Sequence, residues 1–195
     1  MDMDTNRLLT ELQARHDFPA GQFPQFLALF DPLYIQKNQI VFLAGDIVSY
    51  AYFIVKGCLR QYYVNAEGVE NTIYFAEEGG WTGEMSSFIH RVPTTMNLQA
   101  LEDSQALVLT RTNWELATRT FPDYALYQIK NRARNITRLK EQIGHAQTDT
   151  PDQKYRRLLT EKPHLLQRLA QYQIANYLGV TPETYSRIRK RNTPL

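Results

Sequence analysis

Between about Leu33 and Thr110 the chain is a succession of short β-branched and aromatic runs: Ile40–Leu43, Ala51–Val55, Cys58–Val64, Thr72–Phe75, Met96–Leu101 and Ala106–Leu109. Turn formers separate them, namely Gly45-Asp46, Lys56-Gly57, Asn65-Ala66-Glu67-Gly68 and Glu78-Gly79-Gly80. Many short strands at regular spacing with glycine turns predict a sandwich or barrel of jelly-roll type. Before this region, Leu8, Leu9 and Leu12, then Phe23, Phe26, Leu27 and Phe30, recur at helix-like spacing with a break near Phe18-Pro19, as a helical lid would. After Arg111 the texture is helical again. The fold class is therefore α+β, a jelly-roll domain followed by helices.

Hydrophobic residues make up 43% of the 195 residues and charged ones 22%, enough for a packed core and far from the signature of disorder. The longest uncharged stretches, Phe18–Phe30 and Leu169–Pro182, are too short to span a bilayer, and prolines and a glycine interrupt the first, so no membrane-spanning segment is expected. The start, Met1-Asp2-Met3-Asp4, is acidic, unlike a secretory signal. Cys58 is the only cysteine, which excludes an intramolecular disulfide, a four-cysteine zinc site and a cysteine-held iron–sulfur cluster, and a reducing cytoplasm is the expected location. The formal charge of +2 hides a division: residues from Pro151 onward carry +6, and the first 150 carry −4. A basic tail on an acidic body fits either a nucleic-acid-facing segment or a solvated basic helix.

Within Pro122–Ile143, Ile129, Ala133, Ile136, Lys140 and Ile143 alternate in steps of four and three, an a/d-type seam flanked by Lys130, Arg132, Arg134 and Arg138. Such a stripe packs either on its own domain or on a second copy, and Lys140 favours the second because it sits poorly in a buried core. Gly144–Thr150 is polar and turn-prone, so a hinge is expected there, and Thr150-Pro151-Asp152 restarts a helix with N-cap, N1 proline and first-turn acid. The expected division is a roll with its N-terminal helices over 1–120, a dimerisation helix and hinge over 121–147, and a helical domain over 148–195.

The stretch Gln171–Arg191 is the most informative. Ile174, Ala175 and Leu178 share one face of a short helix, Gly179 supplies a tight turn, Val180 an apolar plug, and Thr181-Pro182-Glu183 opens a second helix. Tyr185 and Ile188 give that helix a buried side, leaving Glu183, Thr184, Arg187 and Arg191 on its outer face. Arg grips guanine as a fork, Glu accepts from cytosine, and Thr contacts base or phosphate. Glu183, Thr184 and Arg187 are thus candidate base readers, and Thr181, Arg189, Lys190 and Arg191 candidate phosphate contacts, with the helix N-terminal amides beside them. The alternative is a plain helical hairpin with a charged outer face.

These residues give the chain, over roughly residues 20 to 191, a resemblance to the catabolite activator and fumarate-nitrate regulator (Crp/Fnr) family of bacterial transcription factors. Its marks are Gly45-Asp46, Tyr52-Phe53-Ile54-Val55-Lys56-Gly57, Gly83-Glu84 and Gly179-Val180-Thr181-Pro182-Glu183-Thr184-Tyr185-Ser186-Arg187, and the run Thr181–Lys190 resembles the branch common in Bacteroidetes. The resemblance implies a cyclic-nucleotide-binding double-stranded β-helix (jelly roll), a long dimerisation helix and a C-terminal helix-turn-helix. It further implies base contacts at Glu183 and Arg187, double-stranded DNA and a second copy as partners, RNA polymerase as a candidate partner, and a small-molecule effector at the roll. Pro182 stands where some members carry another DNA-contacting arginine.

Two departures follow. The family's phosphate cassette pairs Gly-Glu with an Arg ten residues after the Glu, but here Gly83-Glu84 is followed at that position by Thr94 and then Thr95. A buried phosphate without its cation is unfavourable, so cyclic nucleotide is not an expected cofactor and Glu84 is expected in a turn as a solvated acid. The second is the ending, Arg191-Asn192-Thr193-Pro194-Leu195, in which no wing hairpin is expected after the recognition helix.

A metal-dependent cupin-like enzyme needs several ligands converging in the roll, and of His16, His90, His145 and His164 only His90 lies in the β region, where a loop position is expected. No metal site, catalytic residue, Walker loop, Gly-x-Ser-x-Gly or dinucleotide fingerprint is identified. Cys58 is expected as a buried structural thiol. The aromatics Tyr50, Tyr52, Tyr62, Tyr63, Tyr74, Phe75 and Trp81 belong to the core or line an effector pocket. The expectation is a non-enzymatic, homodimeric, sequence-specific DNA-binding regulator; the rival is a small-molecule-binding or cupin-like enzymatic roll with an incidental basic tail.

Overall fold

The computed structural model describes residues 3–192, which divide into two compact units, residues 3–61 with 75–134, and residues 62–74 with 135–192. The boundary falls inside one long helix and gives the second unit a hairpin from the middle of the chain, which local pattern does not signal. The expectation of a wing-free ending concerns residues 193–195, which lie outside the described residues.

The strands are β1 (Asp31–Ile35), β2 (Ile40–Phe42), β3 (Tyr50–Lys56), β4 (Leu59–Val64), β5 (Glu70–Ala76), β6 (Trp81–Thr82), β7 (Asn97–Ala100) and β8 (Ser104–Thr110). They form two four-stranded sheets, ordered β1-β8-β3-β6 and β2-β7-β4-β5, the jelly-roll arrangement expected. The registered pairs are antiparallel, with Asp31 opposite Val108 and Tyr52 opposite both Val108 and Thr82. Ala51 to Val55 are all buried, which is why the interior of β3 reads as a continuous apolar run rather than an alternation.

In the first unit the outer face of β3 and β8 is covered by α1 (Asn6–Arg15), α2 (Phe23–Leu27), α4 (Arg111–Thr120) and the start of α5 (Pro122–Thr148). Leu8, Leu12, Phe18, Phe26, Phe53, Leu109, Phe121 and Tyr124 form this core. Phe26 is its hub, with ring centroids 5.0 Å from Phe18, 5.3 Å from Phe121 and 4.8 Å from Tyr124, contacts worth about 0.5–1.5 kcal/mol each beyond their burial. Polar ties fix the helices: Trp81 donates to the Tyr127 hydroxyl at 2.8 Å, and His16 donates to Asp123 and accepts from Lys130, both at 3.1 Å. Burial holds the Tyr127 hydroxyl far above its ordinary pKa, so it stays protonated. Cys58 is buried, as expected.

Gly57 closes the β3–β4 turn at φ +98, and a Cβ there would lie 2.2 Å from Ser104 Oγ and 2.8 Å from Ser104 Cα. Gly45 has nearly the same φ, +99, but open space around it. Gly57→Ala should therefore cost about 3 kcal/mol, strain plus a backbone clash, whereas Gly45→Ala should cost about 1 kcal/mol of strain alone. Thermal unfolding checks this as a drop of roughly 6–12 °C against 2–4 °C.

In the second unit, α6 (Pro151–Glu161), α7 (Pro163–Arg168), α8 (Gln171–Leu178) and α9 (Pro182–Asn192) bury Tyr155, Leu158, Leu165, Ile174, Ala175, Leu178, Tyr185 and Ile188. The Tyr155 and Tyr185 rings meet edge to face at 5.9 Å. Thr150 caps α6 in a reciprocal box with Gln153, as its sequence context requires. The hinge is shorter than expected: α5 runs through Gly144 to Thr148, and only Asp149 and Thr150 separate it from α6. Gly144 carries no left-handed φ here, and Thr148 donates back to the Gly144 carbonyl, so the polar stretch continues the helix for more than one further turn instead of breaking it.

Candidate nucleic-acid interface

Helices α8 and α9 form the helix-turn-helix. Gly179 ends α8 in the left-handed region at φ +70, and the Val180 amide donates to the Ala175 carbonyl, so the chain reverses within three residues. Ala175, 1% exposed, stands where the helices pack closely. At the start of α9 the Thr181 hydroxyl accepts from the Thr184 amide at 3.3 Å. Tyr185 and Ile188 point inward and are buried, which turns the opposite side of α9 outward.

On that outward side Glu183 and Arg187 are exposed, one turn apart, with Thr184 half-buried beside them. Glu183's carboxyl is held below its ordinary pKa by its own backbone amide, then by the Thr181 hydroxyl and Arg187. It is an ionised acceptor at neutral pH, next to a five-donor fork. Among the phosphate candidates, Thr181 and Lys190 are exposed, Arg189 is half-buried, and Arg191 is exposed but engaged: it donates to Asp152 on α6 at 3.0 Å. Asn192 donates to the same carboxylate at 3.3 Å and accepts from Arg156 at 2.7 Å. Asp152 thus anchors the far end of α9, a role its sequence position as a first-turn acid does not disclose.

The effector cassette is differently built from the expectation. Glu84 is not a solvated acid in a turn: it is the N-cap of α3 (Met85–His90), accepting from the Ser86 and Ser87 amides at 2.8 and 2.6 Å. Gly83 adopts φ +124 and its carbonyl accepts from the Gln61 side chain at 2.9 Å. Thr94 is buried, its hydroxyl accepting from the Met96 amide at 3.1 Å, while Thr95 is exposed. His90 ends α3 rather than sitting in a loop, because the left-handed Arg91 stops the helix only after it. Of the aromatic group, Tyr52, Tyr62 and Phe75 are core, Trp81 packs against it, and Tyr50 and Tyr63 are exposed. Among the described residues no three His, Cys, Asp or Glu side chains form a metal-holding group.

Along α5 the seam is bare: Ile129 is 63% exposed, Ile136 54% and Ile143 59%, with Ala133 and Lys140 exposed between them. Leu126, one step of three before Ile129, and Leu139, beside Ile136 and Ile143, extend the same apolar surface. No helix among the described residues is long and apolar enough to cross a membrane.

A jelly roll leading through one long helix into a helix-turn-helix is a recognisable architecture, that of helix-turn-helix proteins carrying a jelly-roll domain. Residues 32–119 match the cyclic nucleotide-binding domain family. The chain is 22% identical over 163 residues to the probable transcriptional regulator flp of Lacticaseibacillus casei, covering 80% of this chain and 74% of that protein. In fold it resembles the catabolite activator protein of Thermus thermophilus, at 20% identity and TM-score 0.61, over 93% of this chain and 85% of that one. It also resembles the c-di-GMP-responsive global regulator CLP of Xanthomonas campestris, at 18% identity and TM-score 0.71, over 89% and 91%. The chain is thus similar, in its roll and in its fold, to transcriptional regulators of the Crp/Fnr type. The enzymatic rival finds no support among these relatives.

Proposed function

We propose that two copies of this chain pair along α5 and read a pseudo-palindromic operator, one α9 in each of two successive major grooves about 34 Å apart. The observation that carries this is the exposed Glu183–Arg187 pair on the outward side of α9. Glu183, Thr184 and Arg187 read bases; Thr181, Arg189 and Lys190 hold phosphates, and Arg191 joins them when it exchanges Asp152 for DNA. Residues 1–120 serve as the sensor, 121–147 as the dimer helix and 148–195 as the reading domain, acting in the cytoplasm with RNA polymerase as a further partner.

Control by an effector at the roll works only if the ligand favours one arrangement of the dimer over another. An effector other than cyclic AMP is supported by Thr94, which offers no cation for a phosphate, and by the Glu84 carboxylate, which accepts from two backbone amides. The c-di-GMP responsiveness of the Xanthomonas relative supports separating such a roll from cyclic AMP.

Selection of genomic fragments by the purified protein at near-physiological salt tests the reading. Enrichment of a pseudo-palindrome with half-sites one helical turn apart is expected, and recovery of random fragments would overturn it.

A further inference from the structure

The second unit contains a segment that is not part of the helix-turn-helix: the hairpin of residues 62–74, joining the end of β4 to β5. Strand β5 lies at the edge of its sheet, so its outer backbone groups need partners other than a strand. Asn176, in the last turn of α8, supplies one for each polarity. Its Oδ1 accepts from the Thr72 amide at 2.7 Å, and its Nδ2 donates to the Glu70 carbonyl. One carboxamide thus copies the donor–acceptor pair of a neighbouring strand, across more than 100 residues of sequence. On the same hairpin, the Arg138 guanidinium from α5 lies 4.5 Å from the centroid of the Tyr74 ring.

The charge of this strap gives the direction of its effect. Residues 62–74 contain Glu67 and Glu70 and no basic residue, whereas the chain from Pro151 onward carries +6. Asn176 stands five residues before Thr181, the first residue of the reading surface. An acidic hairpin held there repels the phosphate backbone and offsets the field that draws DNA in.

We propose that the hairpin 62–74 is an autoinhibitory strap, latched to the reading domain by Asn176, and that DNA binds best when the latch is open. This rests on the DNA-binding reading above. A latch of two neutral hydrogen bonds is weak enough for specific DNA contacts to open it and strong enough to hold most molecules closed without DNA.

Binding of the full-length protein to a random-sequence 30-base-pair duplex, followed by fluorescence anisotropy at two salt concentrations, tests it. Asn176→Ala should bind roughly five- to a hundredfold more tightly than the wild type, within the range that loss of two such bonds allows. Hydrogen exchange at the Thr72 amide should accelerate in the same variant. Glu67→Gln with Glu70→Gln leaves Asn176 in place and should also tighten binding, by a factor that shrinks at the higher salt. Unchanged or weaker binding by both variants, with the wild type binding normally, overturns the strap and leaves the DNA reading standing. If the wild type and both variants bind no duplex even at low salt, the DNA reading itself fails and the strap with it.

Discussion

Arg187→Ala should weaken binding to the selected operator by about 1–3 kcal/mol and relax preference at one position of each half-site, while binding to random duplex changes little. The asymmetry follows from where the side chain stands. Arg187 is exposed one turn beyond Glu183, on the side of α9 opposite the buried Tyr185 and Ile188, so its fork faces a base edge once the helix enters a groove. Lys190, also exposed and one turn further along, is a point charge suited to a phosphate. Lys190→Ala should weaken operator and random duplex alike and lower the slope of log affinity against log salt by about one. Competition between the two duplexes measures both effects. Equal losses on operator and random DNA for Arg187→Ala would refute the base-reading assignment.

What the sequence discloses about this protein is what depends on neighbours in sequence. The turn of the helix-turn-helix is local chemistry: Gly179 takes the left-handed conformation, and Thr181 caps α9 a few residues later. The long apolar run of β3 is legible because burial on both faces removes the alternation, while β6 is two residues long and carries no pattern at all. Strand β1 escapes notice because Asp31-Pro32 reads as a breaker; its place at the edge of its sheet lets a proline sit there without costing a central ladder bond.

The site divides along the same line. The outward positions of Glu183 and Arg187 follow from helix periodicity, but the partners of Arg191 and Asn176 come from α6 and β5. No spacing rule pairs residue 152 with 191 or 72 with 176. Glu84 shows the opposite failure: a residue matching a ligand motif is engaged in a local cap, because the Ser86 and Ser87 amides that follow it each bond one of its carboxylate oxygens.

The seam makes the other large prediction. Five apolar side chains, Leu126, Ile129, Ile136, Leu139 and Ile143, stand about half exposed or more on one helix, and pairing two copies covers ten. Ile136 lies midway along the row, where a/d packing places it against its own copy. Ile136→Glu removes two isoleucine contacts and sets two like charges face to face in a desolvated seam, so the dimer should weaken by about 3–5 kcal/mol, a hundredfold or more in dissociation constant. Because the side chain is 54% exposed within its own chain, the fold should lose no more than about 0.5 kcal/mol. Sedimentation separates the two effects: a folded monomer with its helices intact, and with it the loss of cooperative binding to paired half-sites. A variant that stays dimeric at micromolar concentration would show that Ile136 is not in the interface, and one that unfolds would show that the stripe packs on its own chain after all.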